Sequence, residues 1–169
     1  MESIRELERG FIDAEEKLNN AKVIIVFGAS SGGKKVKAYL ETYMKLHVHY
    51  FVDNDPEKWD KSIDDVPIIS PSRLLSLYST FANPLICIAS YWAKDIAYKL
   101  RDMGFKDYIN LTYWFEERHC YDQEKLTSHL DELEEVYNHL DDDLSKKTFL
   151  SIIEYRKSLD PVCLRVSEY

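Results

Sequence analysis

The run Val23-Ile24-Ile25-Val26-Phe27, followed at once by Gly28-Ala29-Ser30-Ser31-Gly32-Gly33, constrains the fold more than any other stretch of this chain. Consecutive apolar residues, mostly β-branched and bounded by glycine, suit a strand covered on both faces, as in a parallel sheet. The glycines then turn the chain into a helix whose expected inner stripe is Val36, Tyr39, Leu40 and Tyr43.

The unit recurs. His49 to Val52 reads as a strand ending in the turn cluster Asp53-Asn54-Asp55-Pro56. Val66 to Ile69 is a short strand, after which Ser70 caps a helix with Pro71 at its first position, where a missing N–H costs nothing. Leu85 to Ala89 is another buried strand. A helix follows from Tyr91 to Met103 with Gly104 as its C′ residue, and Asp107 to Leu111 closes the pattern. Strands alternating with helices imply right-handed crossovers, so we expect an α/β, Rossmann-like, doubly wound parallel sheet of about five strands. It spans residues 21–112, between an N-terminal helix within 1–20 and a helical appendage or connector over 113–169.

The N-terminal helix is read from Ile4, Leu7, Phe11, Ala14 and Leu18, which fall on one stripe despite Gly10. In the appendage Leu126, Leu130, Leu133, Tyr137, Leu140 and Leu144 alternate spacings of four and three. That run is too short to define a coiled coil. It is expected to pack against the sheet or the N-terminal helix, with a homodimer through these segments as the alternative. Asp141-Asp142-Asp143 can cap a further helix with Phe149, Ile152, Ile153 and Leu159 inward, stopped by Asp160-Pro161. Residues 162–169 show no partner element in the sequence.

Composition narrows the classes. Of 169 residues 45% are hydrophobic and 31% charged, with only 5 Gly and 5 Pro, which excludes collagen, low-complexity disorder and a membrane protein. No apolar run approaches a membrane span, and no signal-peptide h-region follows Met1. Cys87, Cys120 and Cys163 form neither a disulfide framework nor a paired-thiol zinc site, so a reducing cytoplasm fits best. The net charge of −8 argues against a nucleic-acid partner, which needs a basic surface. Residues 116–143 hold 11 acidic and 2 basic residues, so nearly the whole imbalance lies in the appendage, as a solvated helix face or a partner-selecting surface.

Four readings compete for the loop at 28–35. In the first, Gly28, Ser30 and Gly33 take the places of a dinucleotide fingerprint, and free N–H groups at the helix start, including those of Ser31 and Gly32, meet a phosphate. Asp53, 20 residues after Gly33 at the end of the next strand, supplies the acid for ribose hydroxyls, with Asn54 beside it. Ser30 stands where a glycine allows the closest pyrophosphate approach. In the second, Gly28, Gly33 and Lys34 match an NTPase phosphate loop, but Lys35 sits where a hydroxyl must hold magnesium. In the third, Ser30 is the nucleophile of a Gly-x-Ser-x-Gly elbow, without a well-placed histidine. In the fourth, Gly28, Ser30, Gly32 and Asp53 hold S-adenosylmethionine, although the strand lacks the acid such loops usually carry. A ligand-free βα turn is the remaining possibility. We favour the first.

Ser90, after the fourth strand, is a candidate ribose or phosphate contact, with Tyr91 or Trp92 as a stacking surface. Lys34 and Lys35 could neutralise a diphosphate. His47 with His49 look metal-like but are more simply solvent-facing, and His119-Cys120 with Asp122 looks metal-like although successive residues on a helix diverge.

Taken together, Val-Ile-Ile-Val-Phe-Gly-Ala-Ser-Ser-Gly-Gly, Tyr-Phe-Val-Asp-Asn-Asp-Pro-Glu-Lys-Trp, Val-Pro-Ile-Ile-Ser-Pro, Leu-Ile-Cys-Ile-Ala-Ser and Leu-Arg-Asp-Met-Gly-Phe resemble the Rossmann-like module at the front of FkbM-type methyltransferases of bacterial polysaccharide clusters. The nucleotide-sugar-binding front domain of bacterial sugar acetyltransferases is similar. The stretch His-Leu-Asp-Asp-Asp-Leu-Ser-Lys-Lys-Thr-Phe-Leu-Ser-Ile-Ile-Glu-Tyr-Arg resembles the FkbM connector, so the likeness spans residues 20–160. It implies a nucleotide or nucleotide-sugar ligand on Gly28, Ser30, Gly33 and Asp53. It also implies that S-adenosylmethionine binds only in a domain expected beyond Tyr169, so that this chain alone is not catalytic. Rival expectations are a small NAD(P)-dependent sugar oxidoreductase, for which Tyr91 and Lys94 form a Tyr-x-x-Lys, and an oligomerisation or docking domain with an empty loop. Asp53→Ala is expected to weaken a nucleotide while sparing the fold.

Overall fold

A computed structural model describes residues 14–112 and 123–167. Its elements are α1 (Ala14–Asn20), β1 (Val23–Phe27), α2 (Ser31–Thr42), β2 (Val48–Val52), β3 (Ser62–Ile63), β4 (Val66–Ile69), α3 (Pro71–Tyr78), β5 (Pro84–Ile88), α4 (Ala93–Asp102) and β6 (Tyr108–Asn110). Helices α5 (Gln123–Ser128), α6 (Leu130–Asn138) and α7 (Asp143–Ser158) follow, then a 3-10 segment Pro161–Ser167. The sheet order is β3-β4-β2-β1-β5-β6, parallel throughout except for the β3–β4 pair. The order reverses between β1 and β5, the place where ligands of open α/β sheets bind beyond the strands' carboxyl ends.

Every second residue of a strand faces the same side, and both sides are covered. Ile24, Val26, Leu85, Cys87 and Ile109 pack against Leu18 of α1 and Val36 and Leu40 of α2. Ile25, Phe27, Ile86 and Ile88 pack against Leu74 of α3 and Ile96, Ala97 and Leu100 of α4. The expected doubly wound parallel arrangement is therefore present, with one strand more than expected. The extra strand, β3, turns into β4 through Asp64 and Asp65 at φ 46° and 66°. Two successive positive φ values make the tight mirror-image turn that suits a hairpin's twist. Without an Asn-Gly or Asp-Gly pair, the sequence signals that turn poorly.

The expected caps are present. The Ser70 hydroxyl accepts from the Arg73 N–H at 3.0 Å. Gly104 follows α4 at φ 87°. Asp142 accepts from the Ser145 N–H at 2.8 Å. Three expected core positions are not inward. Tyr43 is 75% exposed, Leu144 50% and Ile152 41%. Tyr43 lies past the last turn of α2, which has already left the sheet. The leucine stripe is broken between α5 and α6 at His129, and among the described residues Leu126 and Leu130 pack with Ile153, Phe149 and Leu150 of α7. Ile4, Leu7 and Phe11, and His119, Cys120 and Asp122, lie outside the described residues.

The segment after α7 has a partner, contrary to the reading from sequence. Leu159, in the left-handed region at φ 52°, turns the chain back so that its carbonyl accepts from the Asn110 N–H of edge strand β6 at 2.8 Å. The Tyr108 hydroxyl donates to Asp160 Oδ2 at 3.2 Å, and Asn110 Nδ2 donates to the Tyr155 hydroxyl at 3.0 Å. Leu159 and Val162 are each 3% exposed, one in the core of either sheet face. Leu159→Ala is accordingly expected to cost about 3 kcal/mol, as buried leucine truncations do. Urea unfolding followed by circular dichroism measures it, and a cost under about 1 kcal/mol would mean that the segment merely rests on the sheet.

Candidate functional site

The turn after β2 is built around Asp53. Its Oδ1 accepts from the Asp55 N–H at 2.9 Å. Its Oδ2 accepts from the Ala29 N–H at 2.8 Å and from Lys58 Nζ at 3.0 Å. The Asp53 backbone carbonyl takes the Trp59 indole N–H at 2.8 Å. Asp55 in turn accepts from the Glu57 N–H at 3.0 Å, with Pro56 at the first position of the short 3-10 turn. The Asp53 carboxyl is 13% exposed. Burial pushes its pKa up, but the Asp55 N–H, the Lys58 ammonium and the Ala29 N–H outweigh burial and hold it below the ordinary value. Asp53 thus joins the turn after β1 to the turn after β2. A carboxylate has about four lone-pair sites, so room for one ligand hydroxyl remains without displacing a donor.

The glycines of the loop serve close packing. A Cβ on Gly28 would lie 2.5 Å from the Ala89 carbonyl oxygen, and Gly28 stands at φ 120°. On Gly32 it would lie 3.2 Å from the same oxygen, and on Gly33 it would lie 1.8 Å from the Gly28 carbonyl oxygen. The Gly28 N–H is taken by the Val52 carbonyl at 2.7 Å. Ser30 is extended at φ −133° and precedes α2 without a side-chain cap. Among the described residues, no acceptor takes the N–H groups of Ser31, Gly32 or Gly33, which open α2. The first half of the loop is therefore satisfied by the protein itself, while the helix start keeps free donors of the kind that hold anions.

Beyond the carboxyl ends of β1, β2 and β5 lies a cleft of about 610 Å³. Of the candidate residues it is lined by Gly28, Ser30, Asp53, Asn54 and Ser90, together with Trp92. Ser31, Gly32, Gly33, Lys34, Lys35, Tyr91 and Lys94 are not in its lining. Ser90 has structural partners: its hydroxyl accepts from the Trp92 N–H at 3.2 Å, and its carbonyl accepts from the Thr112 hydroxyl at 3.0 Å. Residues that sequence reasoning missed are Phe27, Asp55, Lys58, Asp95, Ile96 and Lys99. Asp95, Ile96 and Lys99 follow Trp92 at helical spacing, a signal readable once the start of α4 is known. Lys99 Nζ donates to Asn54 Oδ1 at 2.9 Å, linking the turn after β2 to α4.

In the histidine pair, His49 serves the backbone of the neighbouring strand. His49 is the extra residue of a bulge in β2, where the register slips between Ile24 and Ile25. Its Nδ1 accepts the Ile24 N–H at 3.2 Å, which the bulge leaves without a ladder partner. Burial, followed by the charge of His47, pushes its pKa down and favours the neutral ring that can accept. Among the described residues no three His, Cys, Asp or Glu side chains gather in a way that could hold a metal ion. Nor is any described helix long and apolar enough to cross a membrane.

Fold and cleft together define a Rossmann-like α/β domain with its concave site at the topological switch point. No family model matches the chain, and no curated protein matches it. Among solved structures, the UDP-D-quinovosamine 4-dehydrogenase from Vibrio fischeri aligns with a TM-score of 0.45 and 22% identity, over 58% of this chain and 86% of that one.

Proposed function

We propose that this chain is a nucleotide- or nucleotide-sugar-binding module, acting as the front part of an FkbM-type methyltransferase that modifies a polysaccharide sugar. The observation that carries the binding reading is the coincidence of three features at one place. The cleft opens at the β1–β5 switch point, it is walled by polar and charged side chains from three turns, and an adjoining helix start offers unpaired backbone donors. In this arrangement the N–H groups of Ser31, Gly32 and Gly33, which adjoin the cleft without lining it, would receive the second phosphate of a nucleotide-sugar's diphosphate. Asp53 and Asn54 would meet sugar hydroxyls, and Lys58 and Lys99 would offset ligand charge. S-adenosylmethionine belongs to the downstream domain that the connector-like tail anticipates, and no transfer step is assigned to residues of this chain.

The test is isothermal titration of the purified chain with UDP-sugars, NAD(P) and S-adenosylmethionine. Heat is expected with UDP-sugars and none with S-adenosylmethionine. A folded sample that gives no heat with any of them rules the module out as a nucleotide binder.

A further inference from the structure

Trp92 is 72% exposed, yet it lines the cleft. Its backbone is fixed, because its N–H is held by the Ser90 hydroxyl at 3.2 Å and its carbonyl accepts from the Ile96 N–H at 3.0 Å. Among the described residues nothing stacks on its ring and nothing accepts from its indole N–H. Trp59, by contrast, is half-buried with its indole N–H committed to the Asp53 carbonyl. An indole held out on a rigid backbone forgoes most of the burial that such a ring can gain. The rest of the helix face continues into the cleft. Asp95, Ile96 and Lys99 lie three, four and seven positions on, so one stripe runs from an aromatic ring over an aliphatic side chain to an ammonium. The two ends are about 10 Å apart along the axis, a length comparable to that of a nucleoside monophosphate from base to phosphate. Lys99 donates one hydrogen bond, to Asn54, and an ammonium has further donors to give.

We propose that Trp92 is the stacking platform for the nucleobase of the ligand, and that Lys99 receives its phosphate at the other end of the same helix face. This rests on the reading of the cleft as a nucleotide site and adds which group lies where. The base gains the planar apolar surface that indole offers any nucleobase, so the platform selects for a base without selecting its identity.

The experiment compares UMP, AMP, uridine, ribose 5-phosphate and N-acetylglucosamine by calorimetry on the wild type, Trp92→Leu and Lys99→Met. Trp92, just before α4, and Lys99 on it are both exposed and line the cleft, and circular dichroism confirms that each variant is folded. The tighter of UMP and AMP should bind the wild type at least about tenfold better than ribose 5-phosphate, and Trp92→Leu should erase that advantage, a loss of about fivefold to a hundredfold. Lys99→Met should weaken UMP while leaving uridine unchanged. Nucleotide affinity that is untouched in Trp92→Leu overturns the proposal while leaving the nucleotide reading standing. So does a Trp92 dependence confined to N-acetylglucosamine, which would make the indole a sugar platform. Failure of the wild type to bind any nucleotide probe removes the reading itself, and this proposal with it.

Discussion

Gly33→Ala is expected to destabilise the fold by about 3 kcal/mol or more, the range of severe overpacking. The added Cβ would lie 1.8 Å from the Gly28 carbonyl oxygen and 3.0 Å from the carbonyl carbon, with the Phe51 ring 3.2 Å away on another side. Neither backbone can yield cheaply. The Gly28 N–H is bonded to the Val52 carbonyl at 2.7 Å, and the far side of Gly28 abuts the Ala89 carbonyl. Alanine's better helix propensity, worth about 1 kcal/mol, cannot offset a forced separation of α2 from β1. Gly104→Ala is the control. It sits at φ 87° with no heavy atom within 4 Å of its would-be Cβ, so only conformational strain of about 1–2 kcal/mol is expected. Urea titrations of both variants decide the matter, and equal losses would mean that the helix does not press on the strand as described.

The second large effect is expected for Asp53→Ala, at about 2–4 kcal/mol, because it strands the buried Ala29 N–H, the Asp55 N–H and the Lys58 ammonium together. This replaces the expectation that the substitution would spare the fold. Asp53→Asn should lose nearly as much, since its amide would turn an N–H₂ toward groups that are themselves donors. The carboxyl's folded-state pKa lies below its unfolded value. Its contribution to stability is therefore complete above about pH 4, the ordinary aspartate value, and is lost as pH falls through the folded-state pKa. Denaturation midpoints recorded from neutral pH downward should show a steeper acid-side fall in the wild type than in Asp53→Asn. Parallel profiles would mean that Asp53 is not holding the two turns together in its ionised form.

Local periodicity and punctuation made much of the fold legible. Strands β1 and β5 are uninterrupted apolar runs, and Ser70-Pro71, Asp142 and Gly104 mark helix ends because a cap depends only on residues a few positions away. Short-range rules also placed Gly28, Ser30, Asp53, Asn54 and Ser90 at the carboxyl side of a parallel sheet, where one cleft gathers them. The same rules were blind wherever the partner is distant in sequence. His49 looked like a solvent-facing imidazole, yet it serves Ile24, 25 residues away. Val162 carries no strand or helix period, and Leu159, expected inward, turns the chain onto the open edge of β6 instead of continuing the helix. Lys99 reads as an ordinary helix-surface lysine until Asn54, 45 residues before it, is brought alongside.

What the amino-acid order alone determined is the alternation of strands and helices, the glycine-rich turn and the acid that ends the next strand, because each follows from backbone sterics or burial period. Only the tertiary structure decided what those residues are used for. The glycines admit neighbouring carbonyls, Asp53 ties two turns together, and Trp92 is left facing the cleft. Those roles depend on which distant atoms come within a few ångströms, a consequence of sheet order and crossover packing that no local stretch of sequence encodes.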